Sequence, residues 1–227
     1  MKGMFSRIDA RTVRLVSTAD HKPPVLQPLA ASFGALEKLE ELEAVTSGRL
    51  AVQQKGLPGM PPDMLATGYG YTFINASFSY CRPGGNRFNP GEWGAWYCAF
   101  AAETALKEVA YHLTRALENC GADYDNTTCY MELLATFGDT FHDLRTSAPP
   151  PECLDPDPAR GYPAGQALAA RLRADGDNGI VYPSVRHQGG TCLVAFWPRL
   201  IRDFQKGETW ILTWAGDPVP VIEKAAV

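Results

Sequence analysis

Apolar positions recur along the chain with two different periods. At about 100° per residue, Leu106, Val109, Ala110, Leu113 and Leu117 fall on one stripe, which predicts an amphipathic helix over Glu103 to Glu118 packed on a sheet. Thr104, Glu108, Tyr111 and Arg115 project from the other side, where the ordinary expectation is a solvated face. A second helix is predicted from about Pro163 to Ala174, with proline in an early position and Asp175-Gly176 as its stop. Leu36, Leu39, Leu42 and Val45 also recur at near-helical spacing among charged residues. Elsewhere the apolar residues come in short runs rich in aromatic and β-branched side chains. Tyr71 to Tyr80, Ala95 to Phe100, Cys129 to Phe137, Ile180 to Tyr182, Thr191 to Trp197 and Thr209 to Trp214 each predict a strand.

These strands do not alternate regularly with helices, which predicts an α+β fold: a mixed or antiparallel central sheet with flanking helices, in preference to a doubly wound parallel sheet. The cluster Gly56-Leu57-Pro58-Gly59-Met60-Pro61-Pro62 closes a first section. The chain therefore divides into a helical and loop-rich extension, residues 1–66, and a main domain, residues 67–227. The proline-rich tract from Ala148 to Pro158 reads as a surface loop.

Composition narrows the function. A chain of 227 residues with 45% hydrophobic and 20% charged residues has mass for a sizeable core. Its net charge of -4, without clustered lysine or arginine, argues against direct binding of nucleic acid. No apolar run approaches the roughly 18 residues that cross a membrane, and the N-terminus lacks the apolar core of a signal peptide, so a cytoplasmic protein without membrane contact is expected. Six cysteines stand singly, with no C-x-x-C pair and no zinc-ligand spacing to the four histidines. Reduced, mostly buried thiols and no bound metal are expected.

Candidate chemistry gathers in two blocks. In Gly84-Gly85-Asn86-Arg87-Phe88-Asn89-Pro90-Gly91, glycines let backbone approach a ligand and Arg87 can grip two phosphate or carboxylate oxygens at once. Tyr97 follows on the predicted strand and Glu108 on the predicted helix. Far downstream, Tyr182-Pro183-Ser184-Val185-Arg186-His187 exposes a hydroxyl, a guanidinium and an imidazole where a short strand ends. Singly, such residues are ordinarily a solvated charge, a core tyrosine and a loop cap.

Together the two blocks closely resemble the RES domain family, named for its arginine, glutamate and serine. The resemblance rests on a glycine-rich turn with Arg-Phe-Asn, an aromatic strand, a Glu-Thr-Ala-x-x-Glu helix and a distant Tyr-Pro-Ser-Val-Arg, and covers roughly residues 67 to 200. Asn86 stands between the glycines and the arginine, where the commonest form is Gly-Gly-Arg. The resemblance implies Arg87, Tyr97, Glu108 and Ser184 as the catalytic set, and a fold like that of the ADP-ribosylating toxins. It also implies a toxin that consumes NAD and an antitoxin partner with a helix-turn-helix region. Members differ in whether ADP-ribose passes to a protein, to water or to phosphate; a protein acceptor is the leading expectation. The residue types suit this chemistry. Glu108 would stabilise positive charge developing on the ribose, Arg87 would pair with the pyrophosphate, and Tyr97 would offer a flat face and an orienting hydroxyl. Ser184 would hydrogen-bond the nicotinamide ribose or amide, and Arg82, Arg186 and His187 are further candidates for phosphate or adenine contact. No metal is required. A chain that only binds its antitoxin is the alternative from outside enzymology.

Overall fold

The computed structural model describes residues 4–18, 60–79, 83–121 and 123–225. Its first element, strand β1 (Phe5–Ser17), overturns the reading of this stretch as helix and loop. Ile8, Thr12 and Leu15 are buried among exposed or half-buried neighbours that include Arg7, Asp9 and Arg11. Ile8, Ala10 and Val16 pack on one side of the sheet and Val13 and Leu15 on the other, so apolar residues serve both faces, and the charges of Arg7, Asp9, Arg11 and Arg14 obscure the strand in the sequence. The stripe Leu36 to Val45 lies outside the described residues.

Helix α1 (Tyr71–Ser79) replaces a predicted strand. Its aromatic content suggested β structure, yet Ile74 and Phe78 are buried one turn apart on a single helical face. Asn75, also buried, accepts from the Ala66 amide on Oδ1 and donates from Nδ2 to the Ala66 carbonyl, and so fixes the approach to the helix. The remaining predicted elements are present with adjusted ends. They are β2 (Trp96–Ala99), α2 (Ala102–Asn119), β3 (Asp125–Asp143), α3 (Pro158–Ala174), β4 (Gly179–Pro183), β5 (Thr191–Ala195) and β6 (Arg202–Ala215), followed by β7 (Val221–Lys224). Helix α3 starts earlier than predicted, because Asp157 caps it by accepting from the Ala159 amide and Pro158 occupies its first turn. Pro163 lies inside the helix.

The seven strands form one sheet in the order β1-β2-β5-β4-β3-β6-β7, with an additional pairing of β1 to β3. Only the β3–β4 pair is parallel, so the sheet is mixed and mostly antiparallel, as an α+β fold requires. The β1–β3 ladder runs from Phe5 opposite His142 to Ser17 opposite Tyr130. It links two groups of strands, β2-β5-β4 and β3-β6-β7, through a segment at the start of the chain. One side of the sheet packs Trp96, Leu133, Phe137 and Phe204 against Ile74 and Phe78 of α1. The other side packs Ala99, Tyr182, Val194 and Phe196 against Leu106 and Ala110 of α2 and Ala169 and Leu172 of α3. No helix among the described residues is long and apolar enough to cross a membrane. Of the described cysteines, Cys98, Cys153 and Cys192 are buried and Cys120 is exposed, all as free thiols.

Candidate active site

Arg87 stands in the turn closed by the Asn86 amide on the Asn89 carbonyl at 2.8 Å. It is only 6% exposed. Its Nη1 donates to the carbonyls of Cys153 at 2.7 Å and Asp155 at 2.8 Å, and its guanidinium lies 5.3 Å from the Tyr162 ring centre. Helix α3 makes room for it with two glycines one turn apart. A Cβ on Gly161 would lie 2.6 Å from Arg87 Nη1, and a Cβ on Gly165 would overlap the Arg87 carbonyl oxygen. Gln166, next along the same helix, donates to the carbonyls of Gly84 and Asn86 at 2.9 Å each. The arginine is thus seated in a groove that no other residue type than glycine would leave open.

Tyr97 braces the same turn. Its hydroxyl accepts from the Phe88 amide at 2.9 Å and donates to Asn89 Oδ1 at 2.8 Å, and burial raises its pKa. The hydroxyl is therefore spent on holding the turn, while the ring faces the cavity.

Glu108 accepts the Ser184 hydroxyl proton on Oε1 at 2.6 Å, and the Cys192 thiol lies 3.8 Å from the same oxygen. Ser184 Oγ in turn accepts the amides of Arg186 at 3.2 Å and His187 at 2.9 Å. With one proton given and two received, the hydroxyl has no capacity left. Ser184 positions the carboxylate, and the ligand contact expected of it from sequence is not available in this arrangement. The α2 face expected to be solvated is exposed at Arg115 but covered by this loop nearer its start: Thr104 is 2% exposed and its Oγ1 lies 2.9 Å from His187 Nδ1. His187 Nε2 sits 3.6 Å from Glu103 Oε1, so the imidazole engages α2 and is not part of the cavity lining. Arg186 does line it, stacked 3.6 Å from the Tyr111 ring centre with Nη2 on the Pro156 carbonyl at 2.7 Å. Burial lowers its pKa. Arg82 lies outside the described residues.

Arg87, Tyr97, Glu108 and Arg186 share one cavity of about 490 Å³, with Arg14, Tyr162 and Tyr182 also in its wall. This is within the range of sites for drug-sized ligands and cofactors. Three guanidiniums, those of Arg14, Arg87 and Arg186, face one carboxylate, Glu108, among the described lining residues. Val13, Leu15, Val109 and Leu113 supply apolar wall. Such a cavity suits an elongated ligand that is anionic in one part and apolar or aromatic in another, and its single carboxylate can meet positive charge. Sequence reasoning missed Arg14, Tyr162 and the Gly161–Gly165 groove. The glycine pair four residues apart within a helix was a usable signal for close packing, whereas Arg14 is one of several arginines in a charged stretch.

The family model described as RES domain matches residues 64–215. Among solved structures, the M. tuberculosis MbcT-MbcA toxin-antitoxin complex aligns with 92% of this chain and 87% of that chain, at 14% sequence identity and a TM-score of 0.46. No curated protein sequence matches the chain.

Proposed function

The chain belongs to the RES domain family, and from that premise we propose that it is the toxin of a toxin-antitoxin pair, cleaving the nicotinamide-ribosyl bond of NAD and passing ADP-ribose to a protein acceptor. The observation that carries this reading is the 2.6 Å Ser184–Glu108 contact in the wall of a cavity whose other charged groups are guanidiniums. Ser184 holds Oε1, and no described residue bonds Oε2, which leaves that oxygen for the ribose side of the substrate. There Glu108 offsets the positive charge that grows as nicotinamide leaves, and it does so without reorganisation because its geometry is set beforehand. Arg87 and Arg186 are anchored by main-chain carbonyls, and their remaining donors suit pyrophosphate oxygens. The rings of Tyr97, Tyr162 and Tyr182 supply flat apolar surface for the bases. A helix-turn-helix antitoxin would restrain the toxin by covering the cavity mouth.

The test is incubation of antitoxin-free protein with adenine-labelled NAD and a bacterial lysate, read by gel autoradiography and by chromatography of small products. The expected result is a discrete labelled protein band, with the rate falling by about 10²- to 10³-fold in Glu108→Gln. NAD loss with labelled small molecules alone would replace protein transfer by hydrolysis or phosphorolysis. No turnover, with growth arrest persisting in folded Glu108→Gln, would replace catalysis by antitoxin binding alone.

A further inference from the structure

Strands β1 and β2 share one register pair, Val13 with Ala99. Toward Ser17 on one strand and Trp96 on the other no ladder joins them. The cavity enters this gap, lined by Arg14, Leu15 and Val16 on one side and by Tyr97 and Cys98 on the other. Arg14 spans it: Nη1 donates to the Tyr97 carbonyl at 3.1 Å, and the guanidinium lies 5.1 Å from the Trp96 ring centre.

That single bond leaves most of the five guanidinium donors unused. Nε is buried without a hydrogen-bond partner, and among the described residues Arg14 forms no ion pair. Burial pulls its pKa down to about 10, so it still carries its charge at neutral pH. A half-buried cation with a buried idle donor and no counter-ion is costly, and it is retained where something else supplies the anion. Among the described lining residues nothing pairs with it: the one carboxylate, Glu108, makes no ion pair with Arg14, and Arg87 and Arg186 are held by carbonyls, which fix a guanidinium without neutralising it.

We propose that Arg14 is an anion-binding residue of this cavity, holding phosphate oxygens of the dinucleotide from the β1–β2 side while Arg87 does so from the α3 side. The assignment rests on the NAD reading above and extends it to a strand that precedes the family-matched residues. It makes β1 part of the binding site as well as of the sheet.

Calorimetric titration with ADP and with adenosine tests it, on wild type, Arg14→Gln, Arg14→Lys and Arg87→Gln, with thermal midpoints measured alongside. Arg14→Gln should weaken ADP binding by at least about tenfold and leave adenosine within about twofold, with Arg14→Lys intermediate because it keeps the charge and loses the fork. A residue that merely braced the strands would lower the midpoint and shift both ligands equally, which would overturn the proposal. So would ADP affinity within about twofold of wild type in Arg14→Gln while Arg87→Gln loses ADP, and in that case the NAD reading survives. Failure of the wild-type protein to bind either ADP or NAD would overturn both. Should Arg14→Gln not fold, a reduced ADP-over-adenosine preference in folded Arg14→Lys supports the assignment, and an unchanged preference there overturns it.

Discussion

Ser184 gives its only proton to Glu108 and receives two backbone amides, so its hydroxyl acts through the carboxylate and not on a ligand. Removing it frees Oε1 to rotate toward the other polar groups of the loop, with little change in the surface that meets the substrate. Ser184→Ala should therefore lower kcat about 10- to 100-fold while KM for NAD stays within about threefold, measured by steady-state NAD consumption. A KM effect larger than the kcat effect would instead make Ser184 a ligand contact, as the residue type alone suggests. Tyr97 follows the same logic: Phe88 and Asn89 consume its hydroxyl, and what remains for a ligand is the ring.

At the scale of elements, helix α3 does for Arg87 what no single residue could. Gly161 and Gly165 open a groove for the side chain and main chain of the arginine, and Gln166 clamps the turn that carries it. Gly165→Ala places a methyl group against the Arg87 carbonyl, and backbone on both sides must move to admit it. The expected outcome is a loss of about 1–3 kcal/mol of stability by chemical denaturation, together with weakened ADP binding, because the shift displaces Arg87. Unchanged ADP affinity at full occupancy of the folded state would count against the groove as the seat of Arg87. Helix α2 contributes differently. Its apolar stripe packs Leu106 and Ala110 on the sheet, as the sequence periodicity predicts, while Thr104 and Glu108 on the opposite face are covered by the loop from Ser184 to Gly190. Both faces of this helix are thus used, one for the core and one for the site.

At the scale of the molecule, β1 gives the two strand groups a second connection beside the short β3–β4 pair. Through its ladder with β3 and its contact with β2, it also buries Ile8 and Leu15 on opposite sides of the sheet. Deleting residues 1–18 should abolish cooperative thermal unfolding, followed by circular dichroism, and not merely lower the midpoint by a few degrees; a cooperative, ADP-binding product would show that the sheet closes without β1. What the sequence determined by itself is whatever depends on neighbours along the chain. The stripe of α2, the turn around Arg87, the short strands and the mixed character of the sheet follow from local periodicity and from glycine and proline at particular positions. Even there, the aromatic content of residues 71–79 suggests a strand, and only the burial of Ile74 and Phe78 on one face marks α1 as a helix. Tertiary structure alone decided the rest. Glu108 meets Ser184 across 76 positions, Arg87 meets Asp155 across 68, and Arg14 meets Tyr97 across 83. Which donor is left idle and which is spent depends on those long-range contacts, since a hydrogen bond is settled by geometry at the moment the distant segments pack.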